Sequence, residues 1–284
     1  MLVNLNEVLL DAKKNQYGVG LFNTTDTDML EAVISVAEEL RSPVIIGTAE
    51  VLLPFGELKL VAPSFVEVAK RASVPVVVHY DHGVTFEKCM EALNLGFSSV
   101  MFDGSALPYD ENIAATREVV RVAHCFGATV EGEIGHVGQA ADGDDAVTDL
   151  YTQVDEAVRY QKDTGVDALA VAIGTAHGAY KEKPKLDLKR LSDIRDAVPV
   201  PLVLHGGSGL SDDDFRNSIA NGISKVNIFT DICRVGITET AEALKENPPF
   251  DTMMTYLNIR NRRVAAMKDE VRKKILLFGS AGKA

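Results

Sequence analysis

Short runs of apolar, often β-branched residues alternate along the whole chain with longer stretches that repeat apolar residues at helical spacing. The longer stretches include 28–40, 86–95 and 111–125. Each short run is apolar on both faces, which is typical of a buried parallel strand rather than of a half-exposed antiparallel one. The runs lie at 17–23, 43–47, 75–80, 97–102, 128–134, 168–174, 201–204 and 225–228.

Eight such strands with helices between them predict a single-domain (β/α)8 TIM barrel over residues 1–284, with a further helical segment at 251–276. A doubly wound open sheet is the alternative. The first strand of that fold is usually followed by a Gly-rich dinucleotide-binding loop, whereas Asn23-Thr24-Thr25 follows here. The longest irregular segment, 135–149, is Gly-rich and acidic, so we expect a mobile loop over one barrel mouth.

The composition excludes several classes of function. The 284 residues carry 41 Asp and Glu against 29 Lys and Arg, a net charge of −12, so we expect neither nucleic acid nor an anionic membrane as a partner. No apolar stretch approaches the ~18 residues of a membrane span. Three widely spaced cysteines exclude a disulfide framework, and the N-terminal segment lacks the basic patch of a signal peptide. We therefore predict a cytoplasmic protein.

A polar residue that can ionise, hydrogen-bond or bind a metal stands at the end of every predicted strand. The active site of a barrel forms at these ends, and a buried His or Asp costs free energy unless it is paired or coordinated. A single histidine is more often a hydrogen-bonded core residue, but three at one mouth, beside carboxylates, predict a zinc site with a free position. His79, inside its strand, is expected to pack or to support a ligand. The strand-end residues are Asn23, Thr48, Asp81 with His82, Asp103, Glu133, His177, His205 and Asn227.

The segments after the last two strands predict an anion site. The first, 204–209, reads Leu-His-Gly-Gly-Ser-Gly, and the second, 227–231, leads into a helix at 232–245. Backbone amides in a Gly-rich turn and at a helix N-terminus favour phosphate, which barrels often bind after strands seven and eight. The alternative for Ser208 and Thr230 is that they only cap helices.

Six motifs resemble, in their order along the chain, the class II zinc-dependent ketose-bisphosphate aldolases. That family includes fructose- and tagatose-bisphosphate aldolases and the related inositol-pathway aldolase. The resemblance covers essentially the whole chain. The motifs are HYDHG at 79–83, SVMFDGS at 99–105, EGEIG at 131–135, AIGTAHGAY at 172–180, LVLHGGSG at 202–209 and KVNIFTD at 225–231.

The resemblance implies a reaction and its participants. His82, His177 and His205 would bind Zn²⁺, with Glu133 as a further carboxylate ligand. The zinc would polarise dihydroxyacetone phosphate and stabilise its enediolate, while Asp81 would transfer the proton of the C4 hydroxyl. A monovalent cation (Na⁺ or K⁺) would lie by the phosphate, the substrate would be a small phosphorylated sugar, and the protein would be a homodimer or homotetramer. The substrate and phosphate contacts would be Asn23, Thr48, Gly178, Gly206, Gly207, Ser208, Asn227 and Thr230.

Two positions depart from the family pattern. The loop after the EGEIG-like strand usually carries a Glu that handles the substrate carbon proton, and Ala141 stands there instead. We predict that the adjacent Asp142 is the catalytic base, with Asp144 and Asp145 as alternatives on the same loop. The second departure is Phe229, a bulky apolar residue where the family has Asp or a small residue. Because this position lies beside the substrate, the departure is an argument against the usual hexulose bisphosphates as substrates.

The predicted function is therefore a zinc-dependent aldolase that reversibly cleaves a ketose 1-phosphate or 1,6-bisphosphate to dihydroxyacetone phosphate and an aldehyde. One alternative is a zinc hydrolase on the same barrel, although its usual His-x-His on the first strand is missing from Leu21-Phe22-Asn23. The other is a catalytically impaired subunit that only binds a sugar phosphate, an idea that Ala141 suggests.

Overall fold

Eight parallel strands close into a cylinder in the computed structural model, which describes residues 1–138, 151–178, 184–246 and 252–284. The additional strand β1 (Leu2–Val3) pairs with the start of β4 and is not part of the cylinder. Pairing of β2 with β9 and of β4 with β5 closes the ring, which excludes an open sheet. The cylinder consists of β2 (Val19–Asn23), β3 (Val44–Ala49), β4 (Val76–Gly83), β5 (Ser99–Phe102), β6 (Thr129–Ile134), β7 (Ala168–Val171), β8 (Leu202–Leu204) and β9 (Ile223–Ile228).

Helices surround this cylinder, and several begin at capping residues that the sequence supplies. Asn4 and Ser211 form capping boxes, and the side chain of Asp26 accepts hydrogen bonds from two backbone N–H groups of the helix that follows it. Each cap is worth about 1 kcal/mol. The helices are α1 (Leu5–Asn15), α2 (Thr27–Glu39), α3 (Leu58–Arg71), α4 (Phe86–Asn94), α5 (Tyr109–Cys125), α6 (Val154–Thr164), α7 (Leu188–Ala197), α8 (Asp212–Ala220), α9 (Thr230–Glu246) and α10 (Met253–Phe278), with a 3₁₀ helix at Glu50–Phe55.

The apolar core has two layers, and their arrangement decides which end of the barrel is open. The larger layer lies between the strands and the surrounding helices. The smaller layer fills the inside of the cylinder, where Leu21, Ile45 and Val203 pack together with Leu5 and Leu9 of α1. Since α1 covers the end of the barrel where the strands begin, the interior of the barrel opens toward the carboxyl ends of the strands.

The C-terminal helix α10 packs against α9 and α2. Its Arg260 and Arg263 form partly buried ion pairs with Asp28 of α2. A buried pair lies deeper: the ammonium of Lys274 is 2.6 Å from a carboxylate oxygen of Asp231 in the first turn of α9. This pair therefore fixes the start of α9, the segment that follows the last strand, against α10.

The sequence-based predictions of a single-domain (β/α)8 barrel are confirmed. Strand and helix bounds agree to within a few residues. The largest differences are at β4, which continues to Gly83 and so includes the polar residues that follow 75–80, and at β7, which ends at Val171 rather than at 174. Most of the acidic loop predicted at 135–149 lies outside the described residues. No described helix has the length and apolar character needed to cross a bilayer.

Candidate active site

A cavity of about 780 Å³ opens at the carboxyl ends of the strands. Most of the residues expected to act in the site line it, although they come from five of the eight strands and the turns that follow them. Glu133 lies just beneath, fully buried. The predicted residues that line the cavity are Asn23, Asp81, His82, His177, Gly178, Gly206, Gly207, Ser208, Asn227 and Thr230.

Thr48 does not line the cavity, contrary to the expectation from the sequence. It pairs in register with Tyr80, whose side chain belongs to the outer apolar layer, whereas the next pair along the two strands is Ala49 with Asp81. Because side chains alternate between the faces of a strand, Thr48 points toward the helices. The residue of β3 that reaches the cavity is Ala49.

Asp81 and His82 are consecutive in β4, yet both line the cavity. In a regular strand they would point to opposite faces. The pairing of β4 with β5 is irregular between Tyr80 and Gly83, and His82 has a φ of 46°, in the left-handed region that a residue with a Cβ seldom adopts. Such backbone costs about 1–3 kcal/mol and is concentrated at functional sites. Here it turns two reactive side chains into one mouth.

The three histidines expected to bind zinc lie together. His205 Nδ1 is 2.8 Å from His82 Nε2. The ring centroid of His82 is 4.5 Å from that of His205 and 4.9 Å from that of His177. One ligand nitrogen from each of the three lies within 4.8 Å of the others, a spacing that one metal ion can bridge.

Two carboxylates fix which nitrogen each ring offers. His82 Nδ1 is 2.7 Å from a carboxylate oxygen of Asp103, and His205 Nε2 is 2.7 Å from one of Glu131. The opposite nitrogens, Nε2 of His82 and Nδ1 of His205, therefore face each other on the side of the rings away from these carboxylates. Carboxylates that hold the far nitrogen of a histidine in this way are typical of metal ligands.

Glu133 adds a fourth donor. Its Oε2 is buried, has no hydrogen-bond partner among the described residues, and lies 3.8 Å from His205 Nδ1. Its Oε1 accepts a hydrogen bond from the backbone N–H of Val137, which fixes the carboxylate. Three imidazole nitrogens and one carboxylate oxygen are a donor set that suits zinc.

The charges around the triad also suit a cation. Among the described residues, four carboxylates, those of Asp81, Asp103, Glu131 and Glu133, lie around the histidines against one ammonium, that of Lys225. Burial and the charge of Asp103 raise the pKa of Glu133 well above its usual range. A divalent cation bound by the histidines would lie among these carboxylates and favour the ionised form of Glu133.

The imidazoles differ in protonation. Burial, and then the neighbouring His82, lower the pKa of His177 to about 3 and lower that of His205. Burial opposes protonation of His82 as well, but the carboxylates of Asp81 and Asp103 raise its pKa to about 10. Two of the three rings are therefore neutral at neutral pH, as metal ligands must be, and the third would lose a proton to solvent when a metal binds.

Asp81 is held between two amides beside the triad. The side-chain N–H groups of Asn23 and Asn227 donate to its oxygens over 2.8 and 3.2 Å. Burial raises its pKa, but the positive charges of His82 and Lys225 outweigh burial and lower the pKa below its usual range. The carboxylate is ionised at neutral pH and has a fixed orientation.

A second layer of charged residues lies beneath the site, and the sequence reasoning missed it. Lys225 Nζ is 2.7 Å from Glu131 Oε2 and donates to Asn227 Oδ1, and all three side chains are buried. His79, as expected, is packed: it is fully buried, and its Nδ1 is 2.8 Å from Ser99 Oγ. Each of Glu131, Lys225 and His79 stands two residues before a strand-end residue, hence on the same face. A charged residue or histidine two positions before the polar end of a strand could have revealed this layer from the sequence.

Replacing Lys225 by methionine is expected to destabilise the fold by roughly 3–5 kcal/mol, since the change leaves the Glu131 carboxylate buried without its cation. The free energy of unfolding in denaturant measures this loss. Lys273→Met, which alters an ammonium that is 56% exposed, is the matched control and should change stability by less than about 0.5 kcal/mol. A loss below about 1 kcal/mol for Lys225→Met would show that the pair is not structural.

The turns after β8 and β9 meet on the other side of the mouth. Ser208 Oγ accepts hydrogen bonds from the backbone N–H groups of Phe229 and Asp231, which joins the two turns at the start of α9. Gly206 has a φ of 64°, and a Cβ there would lie 2.4 Å from the carbonyl oxygen of Ala176, so only glycine fits. The Thr230 side chain forms no hydrogen bond with any described residue. Helix N-terminal amides in such an arrangement attract anions.

The expected loop base lies outside the described residues, as do its neighbours: Asp142, Asp144, Asp145 and Ala141. The geometry of the described site therefore concerns the metal, Asp81 and the anion site. The assignment of Asp142 stays a prediction.

Comparison with known proteins agrees with this site. A family model described as fructose-bisphosphate aldolase class-II matches residues 3–283. The chain is 40% identical to the 6-phospho-5-dehydro-2-deoxy-D-gluconate aldolase of Bacillus licheniformis, over 99% of this chain and 96% of that protein. It is 36% identical to the fructose-bisphosphate aldolase of Staphylococcus aureus, over 100% and 99%. The crystal structure of the YdjI aldolase from Escherichia coli K12 has a TM-score of 0.89 and 37% identity, with 100% of both chains covered.

The fold and the site define a (β/α)8-barrel enzyme with its reactive groups at the carboxyl ends of the strands. The matches are more specific: the chain belongs to the class II fructose-bisphosphate aldolase family. It is an aldolase, a lyase that breaks and forms carbon–carbon bonds. The family predicted from the six motifs is confirmed.

Proposed function

We propose that the protein is a zinc-dependent aldolase that reversibly cleaves a ketose 1-phosphate or 1,6-bisphosphate to dihydroxyacetone phosphate and an aldehyde. The observation that carries the proposal is the convergence of His82, His177 and His205 beside the ionised Asp81, with an anion site across the same mouth. One relative is named for a substrate with a single phosphate and another for a bisphosphate. Membership of the family therefore does not determine which group stands at the end of the sugar opposite the 1-phosphate.

The three histidines and Glu133 would hold the zinc, which when bound supplies a Lewis acid for the ketose carbonyl. Asp103 and Glu131 hold the rings of His82 and His205 in the orientation that this binding needs. Glu131 is itself held by Lys225, so the arrangement is rigid before substrate arrives.

Asp81 would be the general base of cleavage. It takes the proton of the C4 hydroxyl, the C3–C4 bond breaks, and the electron pair passes to the half that becomes dihydroxyacetone phosphate. In condensation the same carboxyl returns the proton to the aldehyde oxygen. Asn23 and Asn227 leave Asp81 little freedom to rotate, so its oxygens stay directed into the cavity. The proton added at C3 would come from Asp142.

The phosphate would bind at the turns after β8 and β9. The start of α9 supplies backbone N–H groups, Gly206 and Gly207 let the ligand approach the chain, and Thr230 offers a hydroxyl that no described residue uses. We further propose that a monovalent cation (Na⁺ or K⁺) lies by this phosphate and that the protein is a homodimer or homotetramer in the cytoplasm.

Replacing Thr230 by valine is expected to raise the KM for phosphorylated substrates about tenfold, because one hydrogen bond to a charged group is lost. The melting temperature should stay unchanged. Thr238→Val, near the middle of the same helix, is the control and should alter neither value. If Thr230→Val lowers the melting temperature and leaves KM unchanged, Thr230 caps the helix and does not bind phosphate.

The proposal is tested by the release of dihydroxyacetone phosphate from a panel of ketose 1-phosphates and 1,6-bisphosphates, measured in a coupled assay. We expect turnover that a chelator removes and that zinc restores. A catalytically impaired binding subunit would bind the phosphates without any turnover, and a zinc hydrolase would release inorganic phosphate or another hydrolysis product instead. Either of those results would overturn the proposal.

A further inference from the structure

The order of strands around the barrel shows which residues face the far end of a bound substrate. The anion site follows β8 and β9. Going round the closed ring in either direction, β4 is four strands from β8, so the two ends lie opposite each other. A substrate held by its phosphate at β8 and β9 crosses the histidines, reaches Asp81 on β4, and extends from there toward the ends of β3 and β4. That outer part becomes the aldehyde.

The wall at the ends of β3 and β4 lacks positive charge. It consists of Glu50, Val51 and Leu52 after β3 and Val84 after β4. None of the described residues that line the cavity is Lys or Arg. A phosphate or carboxylate is normally bound by one of these side chains or by free backbone N–H groups.

One backbone donor at this wall, the N–H of Val84, is already bound by Glu50. The carboxylate oxygen Oε2 of Glu50 accepts the backbone N–H of Val84 and the hydroxyl of Tyr80, each over 3.0 Å. These two bonds hold Glu50 in place at the wall. An anion placed there would meet a fixed carboxylate, and the N–H of Val84 would not be available to it.

Apolar side chains form the rest of this wall. The side chains of Val51 and Val84 are 75% and 57% exposed, and Phe229 reaches the same cavity from the turn after β9. Uncharged ligand atoms gain by covering such surface, whereas a charged group loses hydration there without compensation. The wall therefore favours a neutral group and disfavours an anion.

We propose that the aldehyde half of the substrate is uncharged, so that the enzyme acts on ketose 1-phosphates with a neutral far end and discriminates against 1,6-bisphosphates and sugars that end in a carboxylate. This inference rests on the proposed aldolase function and narrows it. Glu50, Val51 and Val84 are the residues that set this specificity.

The test is condensation by the zinc-loaded enzyme of dihydroxyacetone phosphate with D-glyceraldehyde and, separately, with D-glyceraldehyde 3-phosphate and malonic semialdehyde. We expect kcat/KM for D-glyceraldehyde to exceed that for each charged aldehyde by roughly 100-fold, the discrimination typical of an uncompensated like charge. Equal or better use of a charged aldehyde would overturn the inference while leaving the aldolase function intact. Condensation of none of the three would overturn both.

Two variants locate the effect. Val51→Lys places a cation on the wall and should reduce the preference for D-glyceraldehyde over its 3-phosphate by about tenfold. Leu60→Lys adds the same charge to an exposed position of α3 away from the cavity and should leave the preference unchanged. If both variants keep the wild-type preference, the far end of the substrate does not face this wall and the inference fails.

Discussion

Replacing His205 by alanine is expected to abolish both zinc binding and aldol cleavage. His205 lies at the centre of the site: its Nδ1 faces His82, and its other nitrogen is held by Glu131. Without it, the site keeps His82, His177 and the Glu133 carboxylate, but it loses the imidazole whose orientation Glu131 fixes, and metal affinity depends on such a held ligand. The measurement is zinc content per chain after dialysis, together with turnover at saturating substrate.

His124→Ala is the matched control, because His124 is an exposed histidine on α5 that pairs with Asp167 outside the cavity. It should retain full zinc content and activity. Full zinc content with full activity in His205→Ala would show that the three histidines are not the zinc ligands.

Replacing Asp81 by asparagine is expected to lower turnover by about 10²–10⁴-fold, the range for loss of a general acid–base group. The asparagine is nearly the same size and still fits between Asn23 and Asn227, but it cannot accept the proton of the C4 hydroxyl. Asp81 is separate from the proposed ligand nitrogens, so zinc content should be unchanged. Turnover and zinc content are both measured, with zinc supplied in excess.

Asp213→Asn, an exposed change on α8, is the control for Asp81→Asn and should leave turnover unchanged. A near-normal cleavage rate in Asp81→Asn would mean that Asp81 only orients its neighbours. Loss of zinc from that variant would instead place Asp81 among the ligands.

The barrel was predictable because each strand is apolar on both faces and each is separated from the next by an amphipathic stretch. That pattern also marks where each strand ends, so the sequence located His82, His177 and His205 at one mouth. A strand-end residue can be assigned to that end of the barrel without knowledge of the pairing, although the face to which it points depends on register. The same holds for Glu133 and Asn227.

Details that depend on register were not predictable. Thr48 and Ala49 are adjacent in sequence, and only the pairing of β3 with β4 decides that Ala49 faces the cavity. The bulge that turns His82 inward depends on the partner strand as well. The contact between Lys225 and Glu131 joins strands that are not neighbours in the ring, so no local pattern reveals it.

The central claim is that the histidine triad activates dihydroxyacetone phosphate at carbon while Asp81 acts on the hydroxyl of the other half. Exchange of the carbon-bound proton of dihydroxyacetone phosphate with deuterated water, followed by NMR, tests it most directly because no aldehyde is needed. We predict exchange by the wild type and by Asp81→Asn at similar rates, and none by His205→Ala. Normal exchange by His205→Ala, or loss of exchange in Asp81→Asn with zinc still bound, would contradict the account.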